Sequence, residues 1–217
     1  YILFGAADAV IFQLTGQAST DTTVASTTGL MNLQTRRWLD AHVLDAMGIG
    51  VCVGKLPPLV AGGGQVGIVT DRAASMLGLT ADIPVYHAPG DAGAATIGAG
   101  SGDVGRAYGY LGTSGWVAFT ATTPGSPLNG VFTLAHPQPD QYIQIAPLLT
   151  AAGNLEWIKE VFAADSVDAF TTEALARPIT NVIYLPYLNG ERTPFRDPLA
   201  RAAFIGLGGA TERGDLV

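Results

Sequence analysis

Charge is scarce in this sequence. Only 13% of its 217 residues are Asp, Glu, Lys or Arg, and just two are lysine, Lys55 and Lys159. The net charge is −7 and no basic cluster occurs. A surface that neutralises nucleic-acid phosphates needs concentrated Lys and Arg, so the composition argues against that class and against polybasic membrane attachment. The single cysteine, Cys52, excludes an internal disulfide or a cysteine metal cluster and reads as a small apolar residue. The three histidines, His42, His87 and His136, are scattered without HxxxH spacing, which argues against a metal site built by the protein itself. No apolar run approaches the roughly 20 residues of a membrane span, and no signal peptide opens the chain. The sequence starts without Met, at Tyr1, and stops in Thr211-Glu212-Arg213-Gly214-Asp215-Leu216-Val217, which reads as the start of a helix. Both ends look like cuts in a longer protein.

What is present is apolar: 48% of the residues are hydrophobic, enough for a real core in one large or two modest domains. Ala7–Leu14 reads as an apolar helix with Gly16 as its left-handed stop. The polar run Ser19-Thr20-Asp21-Thr22-Thr23 suits capping of a following segment. Trp38–Met47 has helical spacing and ends at Gly48. Pro57-Pro58 and Gly62-Gly63-Gly64 punctuate a loop, and Asp71–Leu77 is a short helix stopped by Gly78.

Ile83–Ala88 reads as a buried strand of continuous apolar type. It runs through Pro89-Gly90-Asp91-Ala92-Gly93 into a small-residue helix, Ala92–Ala99. Ser101–Gly105 is a turn and the candidate domain boundary. Downstream, Arg106–Leu111 and Gly115–Thr120 look like strands flanking Gly112-Thr113-Ser114, and Val131–Ile145 looks like a hairpin. Asn154–Phe162 reads as a helix, Val182–Leu188 as a strand and Pro194–Pro198 as a loop. Alternating strands and helices in both halves favour an α/β fold.

Gly100-Ser101-Gly102-Asp103-Val104-Gly105 matches the GxGxxG dinucleotide pattern, but that motif needs a strand before it, a helix after it and an acidic residue about 20 positions on. The order of elements is reversed here and the acidic residue is missing, so the glycines read as a linker. No GxxxxGK[ST] occurs, which excludes a P-loop nucleotidase.

Asp91 stands at a strand end, opening a helix, where open α/β sheets place ligand contacts. Gly90 and Gly93 are expected to leave the approach open. A carboxylate there can take the proton of a substrate hydroxyl, as phosphoryl transfer to an alcohol requires; equally, it can cap the helix. The turn Gly112-Thr113-Ser114-Gly115 offers successive N–H groups and two hydroxyls to phosphate oxygens, or is an ordinary hairpin turn. Glu191, Arg192, Arg196, Asp197 and Arg201 crowd one loop of a charge-poor protein, and a structural ion-pair network is expected there.

In order along the chain these segments resemble the FGGY family of carbohydrate kinases. Leu14-Thr15-Gly16 with Thr20-Asp21 and Ala25-Ser26 is similar to the family's "LTG…TD…AS" run. Leu56-Pro57-Pro58 with Val66-Gly67, and Leu77-Gly78-Leu79 before Pro84-Val85, fit next. Gly90-Asp91-Ala92-Gly93-Ala94-Ala95, then Gly98-Ala99-Gly100, resemble its "GD-xx-AA" segment, and Gly112-Thr113-Ser114 its second phosphate motif. Pro186-Tyr187-Leu188-Asn189-Gly190-Glu191-Arg192-Thr193-Pro194 with Ala200-Arg201 is similar to "PYLxGERxP…AR".

The resemblance implies an actin-like, hexokinase-type (ribonuclease H-like) fold of two α/β domains, with ATP and sugar meeting in the cleft between them. Residues 1–100 would be the C-terminal part of the sugar-binding domain and 101–217 the N-terminal part of the ATP-binding domain, with residues 98–105 a hinge candidate. It implies Asp91 as catalytic base and substrate contact, Gly112, Thr113 and Ser114 on the nucleotide phosphates, and Gly153, before the Trp157 helix, on the nucleotide. ATP and Mg²⁺ are the implied cofactors, with no metal ligand from the protein itself. A sugar and ATP are the partners, the cytoplasm is the expected location, and a homodimer stays open. The family's "DxGT" loop and sugar-contacting residues should precede Tyr1, and its last helices and adenine pocket should follow Val217, so the chain alone is expected to be inactive. D-xylulose is the first choice of substrate. Gluconate comes next, from Ala25–Asn32, and glycerol is disfavoured because Ala92 stands where glycerol kinases carry Gln. A non-catalytic sugar-binding regulator on the same fold is the alternative class.

Overall fold

The computed structural model describes residues 1–216. They gather into two compact units. One comprises Tyr1–Tyr108, Phe119–Pro124 and Thr133–Gln144, the other Gly109–Ala118, Gly125–Phe132 and 145–216.

In the first unit α1 (Ala6–Thr15) ends at Gly16, whose φ of 71° is the left-handed stop expected there. After β1 (Thr20–Asp21) comes α2 (Thr22–Thr27), capped as the polar run suggested: Asp21 Oδ1 accepts from the amides of Thr23 (2.7 Å) and Val24 (3.3 Å). Ser19 to Thr23 are all buried, an unusual place for five polar residues. Part of their capacity is met at long range, since Thr23 Oγ1 donates to the Ala135 carbonyl at 2.8 Å.

The hairpin β2 (Met31–Asn32) and β3 (Arg37–Trp38) shortens the helix expected from Trp38. Trp38 pairs with Met31, and α3 spans only Ala41–Ala46. Ala25, Met31 and Ala135 form a small core there, with Leu33, Trp38 and Leu59 packed on it. β4 (Leu59–Val60) runs parallel to β1.

β5 (Gln65–Ile68) leads to α4 (Asp71–Leu77), where Thr70 works in two directions. Its hydroxyl accepts from the Ala73 amide and donates to the Leu14 carbonyl at 3.2 Å, tying the start of α4 to the end of α1. Val69, Ala73 and Ala74 form the second core cluster, with Leu14, Ala81 and Val85 against it.

β6 (Pro84–Tyr86) departs from the sequence expectation. Among the described residues it pairs only with β5, antiparallel, and Ile83 and Tyr86 are 42% and 58% exposed. An apolar run of strand length does not say how many of its faces are covered. α5 (Asp91–Gly98) follows.

The largest sheet has the order β7-β8-β10-β9, from β7 (Ala107–Leu111), β8 (Gly115–Ala121), β9 (Phe132–Ala135) and β10 (Tyr142–Leu148), each with residues in both units. In the second unit α6 (Gly153–Val161) and α7 (Val167–Leu175) pack together through the rings of Phe162 and Phe170, 5.9 Å apart. Ser166 caps α7 by accepting from Ala169 N. β11 (Ile183–Leu185) and β12 (Ala203–Ile205) form an antiparallel pair. Among the described residues no helix is long and apolar enough to cross a membrane.

His136, just after β9, is 3% exposed, and its Nδ1 accepts from the Gln138 amide at 3.0 Å. Burial first, and then the nearby Arg36 guanidinium, hold its imidazole below the usual histidine range. The unfolded chain therefore takes up this proton more readily than the folded one. The stability that depends on a neutral His136 is fully present above about pH 6.5 and is lost as the pH falls through that value toward the folded pKa. The melting temperature should drop between pH 7 and 5.5. His136→Asn, whose Oδ1 can still accept from Gln138, should flatten that drop; an unchanged slope in the variant would assign the loss to other groups.

Candidate active site

Asp91 is the first residue of α5, with Gly90 in the cap position. Its Oδ1 accepts from the amide of Ala92, one of the first-turn amides of the helix, at 2.7 Å, and the residue is exposed. It lines a cleft of about 420 Å³ within the first unit. Phe4, Gly5, Ala6 and Ala7 form one wall, Thr23, Val24 and Thr27 a second, and Pro89, Gly90 and Ala92 flank the carboxylate.

The flanking glycines serve packing rather than the open approach expected of them. A Cβ on Gly90 would stand 2.6 Å from Val24 Cγ2, and one on Gly93 would stand 2.9 Å from Pro89 Cβ and 3.2 Å from Thr23 Oγ1. They let the start of α5 lie directly on α2, and the openness around Asp91 comes from the cleft itself.

In the second unit the turn between β7 and β8 meets the start of α6. The Gly112 carbonyl accepts from Ala152 N, and the Thr113 carbonyl accepts from Ala151 N and Gly153 N at 2.9 and 3.2 Å. These bonds use the amides that would otherwise make the N-terminus of α6 an anion site. Asn154 N and Leu155 N are used as well, by the carbonyls of Ala151 and Ala152. The Gly112 amide is spent on the Ser114 carbonyl, which narrows the expected cradle. Among the described residues the amides of Thr113 and Ser114 find no acceptor, and both residues are exposed. Two adjacent amides and two hydroxyls therefore remain for a ligand.

Thr113 and Gly153 line one cavity of about 360 Å³, together with Leu149, Thr150, Trp157, Leu188 and Asn189. Gly153 has to be glycine for this approach, because a Cβ would lie 2.9 Å from the Thr113 carbonyl oxygen. Asn189 donates to Thr150 Oγ1 at 3.3 Å and closes the far side. Trp157 is held by Tyr184, which stacks on it at 6.4 Å and donates its hydroxyl to Asn154 Oδ1 at 2.9 Å. Burial raises the Tyr184 hydroxyl above its ordinary pKa, so it stays a donor.

The charged loop is not an ion-pair network. Among the described residues its carboxylates take backbone amides: buried Glu191 accepts from Leu149 N (3.2 Å) and Arg192 N (2.7 Å), and Asp197 accepts from Leu199 N (2.7 Å). Arg201 donates to the carbonyls of Pro198 and Ala200. Glu191 thus pins residues 189–192 beside the cavity wall at Leu149, while ion pairs lie elsewhere, among them Arg177 with Glu212 and Asp215, Arg213 with Glu173, and Lys159 with Glu156. Among the described residues no three His, Cys, Asp or Glu side chains gather as a metal site.

The residues missed by sequence reasoning are Asp8 and His87, buried behind the Asp91 cleft with Oδ1 and Nε2 3.2 Å apart. They are far apart in sequence and carry no local motif. Asn189 and Thr150 were within reach, because both flank segments that had already been singled out.

Residues 2–98 match the model of the N-terminal domain of the FGGY family of carbohydrate kinases. The chain is 30% identical over 210 residues to a xylulose kinase of Bacillus subtilis (strain 168), an alignment that covers 95% of this chain and 42% of that protein. Among solved structures it is similar to a ligand-bound xylulose kinase from Lactobacillus acidophilus, with 29% identity and a TM-score of 0.84. It is equally similar to a gluconate kinase from the same organism, with 28% identity and a TM-score of 0.85. Each comparison covers 98% of this chain and 43% of the other. The chain therefore spans less than half the length of these relatives, and over that span its mixed α/β structure is part of the actin-like fold of sugar kinases. With the motif order, the match at residues 2–98 and the structural likeness in agreement, residues 2–98 belong to the N-terminal domain of the FGGY family of carbohydrate kinases.

Proposed function

We propose that this chain supplies the general base and part of the phosphate cradle for ATP-dependent phosphorylation of a sugar hydroxyl. The observation that carries the proposal is Asp91, an exposed carboxylate at the start of α5 that lines its own cleft. Residues 1–100 are proposed to belong to the sugar-binding domain and residues 101–217 to the ATP-binding domain.

In the proposed reaction Asp91 accepts the proton of the attacking hydroxyl while the γ-phosphoryl group leaves ADP. The amides of Thr113 and Ser114, with their hydroxyls, donate to phosphate oxygens and so stabilise the charge there. Gly153 permits the close packing that holds Thr113 in place. Mg²⁺ carried on the ATP phosphates would supply further neutralisation of the phosphate charge. Sugar and ATP are the proposed partners, and a cytoplasmic setting, where ATP is supplied, goes with them.

D-xylulose is the proposed acceptor, supported by the xylulose kinases among the relatives. Gluconate follows, supported by the gluconate kinase of similar fold. On the complete polypeptide that carries this sequence, kcat/KM should rank D-xylulose first, gluconate second and glycerol last. A preference for glycerol would contradict the meaning given to Ala92.

A further inference from the structure

The side chains of Asp8 and His87 link two of the segments that wall the Asp91 cleft. Asp8 and His87 are both fully buried. Asp8 belongs to α1, and its Oδ2 accepts from the amides of Phe4 and Gly5, at 3.0 and 3.3 Å, which fixes the wall formed by Phe4 to Ala7. His87 opens the segment that carries Pro89, Gly90 and Asp91. Its backbone is clamped to the glycine loop, with His87 N donating to the Gly64 carbonyl and Gly63 N to the His87 carbonyl. Its ring lies 2.9 Å through Nδ1 from the Ala88 carbonyl and 3.2 Å through Nε2 from Asp8 Oδ1. The second contact is at ion-pair distance but is not aligned as a hydrogen bond, and among the described residues neither atom has another partner.

A carbonyl oxygen only accepts, so the Ala88 contact is a hydrogen bond when Nδ1 carries the hydrogen, and Nε2 and Oδ1 attract when a proton lies between them. An apolar pair could fill the same buried volume at no electrostatic cost, and buried ion pairs of this kind are best explained by the arrangement they specify rather than by stability.

We infer that His87 is a positioning residue: through Asp8 it fixes the Asp91 segment at a set distance from the start of α1, and so holds the carboxylate at the spacing a sugar hydroxyl requires. This rests on Asp91 being the base. A base displaced by even about an ångström loses up to roughly a hundredfold in rate.

Two substitutions divide the ring's functions. Asn at position 87 can reach the Ala88 carbonyl but not Asp8; Gln can reach Asp8. In the complete polypeptide, His87→Asn should lower kcat roughly ten- to a hundredfold, leave the KM for ATP unchanged, and melt close to His87→Gln, which should recover most of the turnover. A wild-type kcat in His87→Asn, or equal impairment of both variants, would reduce the pair to packing. Should His87→Asn fail to fold, Asp8→Asn takes its place, since it still accepts from Phe4 and Gly5 and offers an N–H to Nε2. Asp8→Asn should then keep near-normal turnover, and a tenfold loss at unchanged melting temperature would overturn the inference. Asp91→Asn in the same assay separates the two levels. If it turns over normally, the base assignment has failed. If it is inactive while His87→Asn is normal, only the positioning inference has failed.

Discussion

Replacing Asp91 by Asn should remove about 10²–10⁴-fold of turnover, the usual contribution of a general base, while sugar affinity, ATP affinity and melting temperature stay near normal. The structure makes this substitution clean. Asp91 is exposed, and its one recorded bond, from the Ala92 amide to Oδ1, is a bond that an Asn oxygen can also accept. No cap is lost, because Gly90 occupies that position and the helix has no side-chain cap. A stability effect would therefore be small and a rate effect specific. If Asp91 were only a helix-start residue, kcat and melting temperature would both be unchanged.

The second large effect is expected at Thr113. Thr113→Val keeps the shape and the β-branched backbone preference but deletes a hydroxyl beside two amides that find no acceptor among the described residues. Hydrogen bonds to charged groups are worth about 1.5–3 kcal/mol, so ATP affinity should weaken roughly ten- to a hundredfold. Sugar affinity should not change, because Thr113 lies in the second unit with the Gly153 cavity and Asp91 lines a cleft of the first. The backbone bonds from Ala151 and Gly153 to the Thr113 carbonyl survive the change, so the turn should keep its form. Titration calorimetry with each ligand decides the matter. Equal losses for both ligands, or none, would remove Thr113 from the phosphate cradle.

Local chemistry was legible in the sequence, and distant pairing was not. Gly16 and Gly78 announce helix ends because few other residues take a left-handed φ cheaply, and both occupy it here, at 71° and 68°. Asp21 announced a cap for the same local reason. Asp91 at a helix start and Gly112-Thr113-Ser114 between strands were readable because turn chemistry is carried by neighbouring residues.

Features decided by what lies across space did not show. The exposure of β6 depends on which elements cover it, and its apolar composition carries no record of that. The charged loop looked like an ion-pair network because Glu191 stands next to Arg192, yet the carboxylate turns to the amides of Leu149 and Arg192. The contact of Asp8 with His87 joins a helix to a strand end far along the chain, and neither residue sits in a pattern that names the other.

The most direct test of the central claim is sugar-dependent conversion of ATP to ADP by the complete polypeptide, followed by ³¹P NMR with D-xylulose and Mg²⁺ present. Asp91 as base and Thr113 on the phosphates require a new phosphomonoester signal that grows as the γ-phosphate signal of ATP declines, and that is almost absent with Asp91→Asn. Binding of sugar and ATP by the wild-type protein with no phosphomonoester formed from D-xylulose, gluconate or glycerol would contradict the kinase assignment and leave a non-catalytic sugar-binding regulator.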